Sequence, residues 1–124
     1  MREITKVLKV LSDESRLRVL NLLQVRECCV CEVMQVMDIS QSKASRILSG
    51  LYDAGFLKLR REGRWALYSI DNETTEDYMK DFLAGVTKAL EANPIASQDR
   101  EQLKKAKRIG PDCVFKTPVT SEPQ

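Results

Sequence analysis

Histidine is absent from all 124 residues of this chain. That absence excludes Ser-His-Asp and Cys-His catalysis, Cys₂His₂ zinc fingers and every metal site built on imidazole. No apolar run approaches the ~18 residues of a membrane span. The opening MREITKVLKV lacks the apolar stretch of a secretion signal. The expectation is therefore a cytoplasmic chain with no membrane partner. In such a reducing compartment its four cysteines read as thiols or metal ligands rather than disulfides. Internal repeats and low-complexity runs are lacking too.

The length suits one domain, and 43% apolar residues can fill a single core. Twenty basic residues against eighteen acidic ones leave +2, which implies no partner by itself. The distribution says more. Residues 1–39 hold six of each sign, while 40–70 carry six basic and two acidic residues, a net +4. Residues 71–101 have eight acids and three bases, a net −5, and 102–124 return to +3. A basic middle beside an acidic segment points to a local polyanion-binding face.

Along the chain, Ile4, Val7, Leu8 and Leu11 repeat at helical spacing. Ser12 and Asp13 are caps for a second helix through Leu17, Val19, Leu20 and Leu23. A break at Arg26–Glu32 precedes a short apolar-periodic stretch, Val33 to Met37. Asp38-Ile39-Ser40 reads as a turn ending in a cap. Gln41 to Asp53 is expected to be a longer helix with Ala44, Ile47, Leu48 and Leu51 inward, stopped by Gly55. The period then changes to two. Residues 56–61 and 64–70 alternate like strands about Glu62-Gly63, which predicts a β-hairpin. Residues 74–91 return to helix, with Tyr78, Phe82, Val86 and Leu90 on one face and Asn93-Pro94 as its end. A charged, helical piece is expected over Gln98–Arg108, then a Pro-containing tail with Cys113.

Helix, tight turn, helix and basic hairpin is the order of a winged helix-turn-helix, a mainly α fold with a β-hairpin. The second helix of such a pair faces the major groove with its N-terminal residues. Here those are Ser40, Gln41, Ser42, Lys43, Ser45 and Arg46. Gln can pair with adenine, Arg with guanine, and the hydroxyls with bases or phosphates. Lys58, Arg60, Arg61 and Arg64 on the hairpin would neutralise phosphates in a flanking groove. Singly, each is also what a solvated helix or charged turn looks like. Their order favours double-stranded DNA.

These stretches resemble the ArsR/SmtB family of bacterial metal- and metalloid-responsive repressors over roughly residues 2–92. Leu11 to Leu20 is similar to the family's second-helix signature. Ser40 to Leu48, with Leu51 and Ala54-Gly55-Phe56, is similar to its recognition helix, although Ile47 stands where the family usually has His. Glu27-Cys28-Cys29-Val30-Cys31-Glu32 resembles the cysteine box of the arsenite- and cadmium/lead-sensing branches. The resemblance implies a dimeric winged helix-turn-helix over 1–92 with a charged, mobile tail over 93–124. It implies a homodimer, joined by its first and last helices, that represses at an operator with dyad symmetry and releases it when a thiophilic ion binds. Two open apolar faces, at 4–11 and 78–90, agree with dimerisation.

The effector implied is arsenite, As(III), with Sb(III), Cd(II) and Pb(II) as alternatives, because soft thiolates select soft ions. In an extended segment Cys29 and Cys31 point to one side. Cys31 is placed like an N-cap before Glu32-Val33, where the helix terminus favours a thiolate. A third sulfur is then needed. Met34 stands where arsenite sensors of this type carry another Cys. Cys28 is adjacent but faces the other way unless the segment bends, and Cys113 lies on a tail long enough to return, within a subunit or across the dimer. Asp77 and Asp81 share a helix face, as in the family's zinc site, but without His they read as solvated acids. A thiol-redox sensor of the same fold is the main rival. An enzyme is not expected, since a Cys nucleophile here would lack a base.

Overall fold

The computed structural model describes residues 1–73 and 75–108. Among them, six helices and one hairpin follow in the order α1 (Arg2–Leu11), α2 (Glu14–Val25), α3 (Val30–Met37), α4 (Gln41–Asp53), β1 (Leu57–Glu62), β2 (Trp65–Ile70), α5 (Asp77–Leu90) and α6 (Pro94–Lys105). None of these helices is long and apolar enough to cross a membrane.

The helix starts follow local chemistry. The Asp13 carboxylate accepts from the Arg16 N–H at 2.9 Å, and the Ser40 hydroxyl accepts from the Lys43 N–H at 3.2 Å. Each satisfies a donor that the first helical turn leaves open. Between α3 and α4 the chain turns at Asp38, in the left-handed region at φ 55°. Asp tolerates that conformation better than most residues. After α4, Gly55 takes φ 95° and lets the chain leave for the hairpin. β1 and β2 pair antiparallel from Leu57↔Ile70 to Glu62↔Trp65, with Gly63-Arg64 as the two-residue turn. This is the expected hairpin, and its tip projects from the body, since only Leu57 of β1 is buried.

Val19, Leu20, Leu22, Leu48, Leu51 and Phe56 form the centre of the core, with Ala44 and Ile47 on the inward face of α4. Ile47 is therefore a packing residue, and Met34 packs against the same core. α1 buries only Val7 and leaves Ile4 41% and Leu8 48% exposed. On α5, Met79 and Leu83 turn inward, and Tyr78 meets Phe82 edge to face. Tyr78, Phe82, Val86 and Leu90 stay half-buried, so two apolar faces remain open.

The boundary expected at residue 92 does not mark the end of packing. Asn93 and Pro94, expected to end one helix, begin the next: the Asn93 side chain caps the Ala96 N–H at 3.0 Å and Pro94 takes the first turn. α6 buries Ala96, Asp99 and Leu103 against α2 and α3. The Arg18 guanidinium donates to both oxygens of Asp99 at 2.8 and 2.9 Å. Neutralising Asp99 lets a charged helix dock, since buried charge is tolerated when paired and hydrogen-bonded. Asn21 and Arg100 add a polar seam: Asn21 donates to the Ala96 carbonyl and Arg100 donates to Asn21. Cys113 and the rest of 109–124 lie outside the described residues.

Candidate functional site

Two groups of residues carry chemistry, one on α4 and the hairpin and one at the start of α3. In the first, α4 and its cap present Ser40, Gln41, Ser42, Lys43 and Arg46 to solvent, with Ser45 half-buried, while Ala44 and Leu48 anchor its back. An open groove runs between this helix and the start of α2, lined by Ser15, Arg16, Lys43, Arg46 and Ser49. Ser15 and Arg16 were not expected in the site. Their signal was available only in the pairing of α2 with α4. On the hairpin, Lys58, Arg61 and Arg64 are exposed.

Arg60 behaves differently. Its guanidinium pairs with Glu27, on the loop before α3, and with Glu62 at 3.0 Å. The Glu27 pairing lowers that carboxylate's pKa, chiefly through the hydrogen bonds from Arg60, and raises that of Arg60. Arg60 thus ties the hairpin to the cysteine segment.

That segment holds the second group. Cys28 exchanges two backbone hydrogen bonds with Tyr68, donating at 3.0 Å and accepting at 2.8 Å. Its side chain enters the main core, where burial, with the Glu32 carboxylate second, pushes the thiol pKa up to about 12. Alternation then sends Cys29 the other way. Cys29, Cys31 and Leu67 form a second buried cluster, covered by Trp65. The sulfurs of Cys29 and Cys31 are 3.1 Å apart and fully buried. Cys28 is a free thiol, whereas Cys29 is disulfide-bonded, against the expectation that the cysteines stay reduced.

The helix begins earlier than the sequence suggested. Cys29, not Cys31, is the N-cap, because the Glu32 side chain folds back to accept from the Cys29 N–H at 2.9 Å and closes a capping box. The two sulfurs still converge, since the cap residue and the second helical residue share one edge of the helix start. Glu32 is only 3% exposed and meets Arg26 at 2.8 Å and Arg108 at 3.3 Å. Both guanidiniums occupy its oxygens, so sulfur is the donor this corner offers.

Beyond α6 the chain crosses this corner. Gln35 donates to the Lys107 carbonyl at 2.5 Å and accepts from the Lys107 N–H at 3.1 Å. Arg108 lies over the Trp65 ring, 5.8 Å from its centroid, and the Cys31 thiol approaches the Lys107 carbonyl at 3.9 Å. Among the described residues, no three metal-ligating side chains converge. The Asp77 and Asp81 carboxylates are exposed on α5.

Residues 13–58 match the family described as bacterial regulatory protein, arsR family. An arsenic resistance transcriptional regulator of Pseudomonas putida is 40% identical over 72% of this chain and 72% of its own. A cadmium resistance transcriptional regulatory protein homolog of Staphylococcus aureus is 38% identical over 57% of this chain and 60% of its own. Among solved structures, the homodimeric winged helix-turn-helix DNA-binding domain of a possible ArsR-family regulator from Mycobacterium bovis superimposes with TM-score 0.61. It is 25% identical and covers 75% of this chain and 82% of that one.

Proposed function

The chain belongs to the ArsR family of bacterial regulatory proteins and is a DNA-binding transcriptional repressor, and we propose that a thiophilic metalloid bound by Cys29, Cys31 and Cys113 releases it from its operator. The effector is trivalent arsenic, with antimony as its chemical equivalent. The observation that carries this reading is the pair of buried sulfurs 3.1 Å apart at the start of α3, beside a carboxylate already neutralised by two arginines. Soft donors without competing oxygens suit soft ions. In the reduced protein each As–OH bond is replaced by an As–S bond to a cysteine thiol, whose proton leaves with the hydroxyl as one water per sulfur bound.

Cys113 supplies the third sulfur. It lies six positions beyond Lys107, a span of at most about 20 Å when extended, and the Lys107 carbonyl is 3.9 Å from the Cys31 sulfur. Cys28 is unsuited, because its thiol points into the core and its proton is held tightly. The protein acts in the cytoplasm as a homodimer on an operator with dyad symmetry, its subunits joined through the open faces of α1 and α5. Ser40, Gln41, Ser42, Lys43, Ser45 and Arg46 face the bases, and Arg61 and Arg64 face the phosphates.

Release follows from connectivity. The thiol pair opens α3, α3 leads through Asp38 into α4, and Cys28 is bonded to the hairpin. A displacement at the sulfurs therefore re-aims both DNA-reading elements. Coupling of about 1–3 kcal/mol would weaken operator binding roughly 5- to 150-fold.

The disulfide at Cys29 favours a second reading, in which peroxide takes two electrons and two protons from a thiol pair and that bond is the signal. Fluorescence anisotropy on a duplex from the protein's own upstream region separates the two. Under reducing conditions, arsenite at about one per subunit should release the DNA. Release by peroxide with indifference to arsenite would replace the metalloid with redox sensing, and no DNA binding at all would overturn both.

A further inference from the structure

The Cys29–Cys31 sulfur pair is crossed by a segment that belongs to neither the DNA-reading elements nor the cysteine box, with the Lys107 carbonyl 3.9 Å from the Cys31 sulfur. Residues 106–108 leave α6, run past the N-terminal turns of α3 and end over the hairpin. Four fastenings hold them: two hydrogen bonds between Gln35 and the Lys107 backbone, the Arg108–Glu32 ion pair and the Arg108–Trp65 stack. Beneath them Cys29 and Cys31 have no exposed surface. A buried thiol reacts only when its cover opens.

We propose that residues 106–108 are a strap that gates entry to the Cys29–Cys31 sulfur pair, with Gln35 and Arg108 as its positioning residues. The inference builds on the reading of that pair as the effector site, but concerns access rather than the effector's identity. Gln35 is suited to the task because its amide offers one donor and one acceptor, matching the two backbone groups of a single extended residue. Arg108 fastens the other end to both α3 and β2, while the hairpin stays held to the cysteine segment by Cys28–Tyr68 and Glu27–Arg60.

The test is thiol labelling of the full-length, reduced protein by N-ethylmaleimide, with each cysteine followed by peptide mass. In Gln35→Ala combined with Arg108→Ala, which removes all four fastenings, the labelling rate of Cys31 should rise at least about tenfold. Cys28, buried in the other cluster, should keep its slow rate, and the melting temperature and DNA affinity should stay near wild type. An unchanged Cys31 rate would overturn the strap. A parallel rise at Cys28 would overturn it too, because the variant would then have loosened the whole body. Neither readout involves arsenite, so failure of the effector reading leaves this result intact.

Discussion

Cys28 and Tyr68 exchange both of their backbone hydrogen bonds, at 3.0 and 2.8 Å, so the cysteine segment is a one-residue third strand on the hairpin. This pairing decides the direction of all three cysteines in the box. Cys28 is committed to the core, and its neighbour must face the corner between α3 and β2. It also makes the thiol segment mechanically continuous with the wing, a route separate from the one through α3 to α4.

Cys29→Ser and Cys31→Ser should each keep operator affinity and lose release by arsenite. Both side chains lie away from α4, and serine is close in size. Anisotropy titrations with and without arsenite read the outcome; loss of DNA binding in either variant would refute the assignment.

Cys28→Ala should keep the arsenite response and lower stability by about 1 kcal/mol, the scale of one small buried group lost. A thiol held up to about 12 by burial stays protonated across the range in which ordinary thiols ionise. Its alkylation rate should therefore show no inflection between pH 7 and 10. The raised pKa favours the folded state below the ordinary thiol value, and that contribution falls as pH rises toward 12. Wild-type and Cys28→Ala melting curves should converge at alkaline pH.

Glu27→Gln tests the tie between wing and cysteine segment. The Arg60 hydrogen bonds lower the Glu27 pKa, so the tie is present above the ordinary carboxylate pKa and disappears as pH falls through the lower, folded value. The melting-temperature gap between wild type and variant should be open at neutral pH and close in acid. A gap independent of pH would remove the carboxylate charge from the account.

Arg46→Ala should weaken operator binding by about 1–3 kcal/mol if the side chain reads a base. Arg61→Ala should instead lower affinity evenly across sequences and reduce the salt slope by about one. Arg60→Ala should change that slope less than Arg61→Ala, because Glu27 and Glu62 already neutralise Arg60. Equal slopes would put Arg60 among the phosphate contacts after all.

The sequence by itself determined whatever depends on near neighbours. The 3.6 and two-residue periods mark the helices and hairpin, Asp13 and Ser40 cap where their side chains reach the next turn, and Gly63 admits the hairpin turn. The cysteine box and the recognition helix were legible for the same reason, as short runs of specific residue types. What lay beyond reach are contacts between residues far apart in the chain. Arg18 with Asp99 is what makes α6 part of the body, and Gln35 with Lys107 is what closes the thiol corner. Even the helix start moved from Cys31 to Cys29, since Glu32 is held at the cap by Arg26 and by Arg108 from the far end of the chain. Local rules act through one turn of backbone, whereas burial, charge pairing and cover are decided only when distant segments meet.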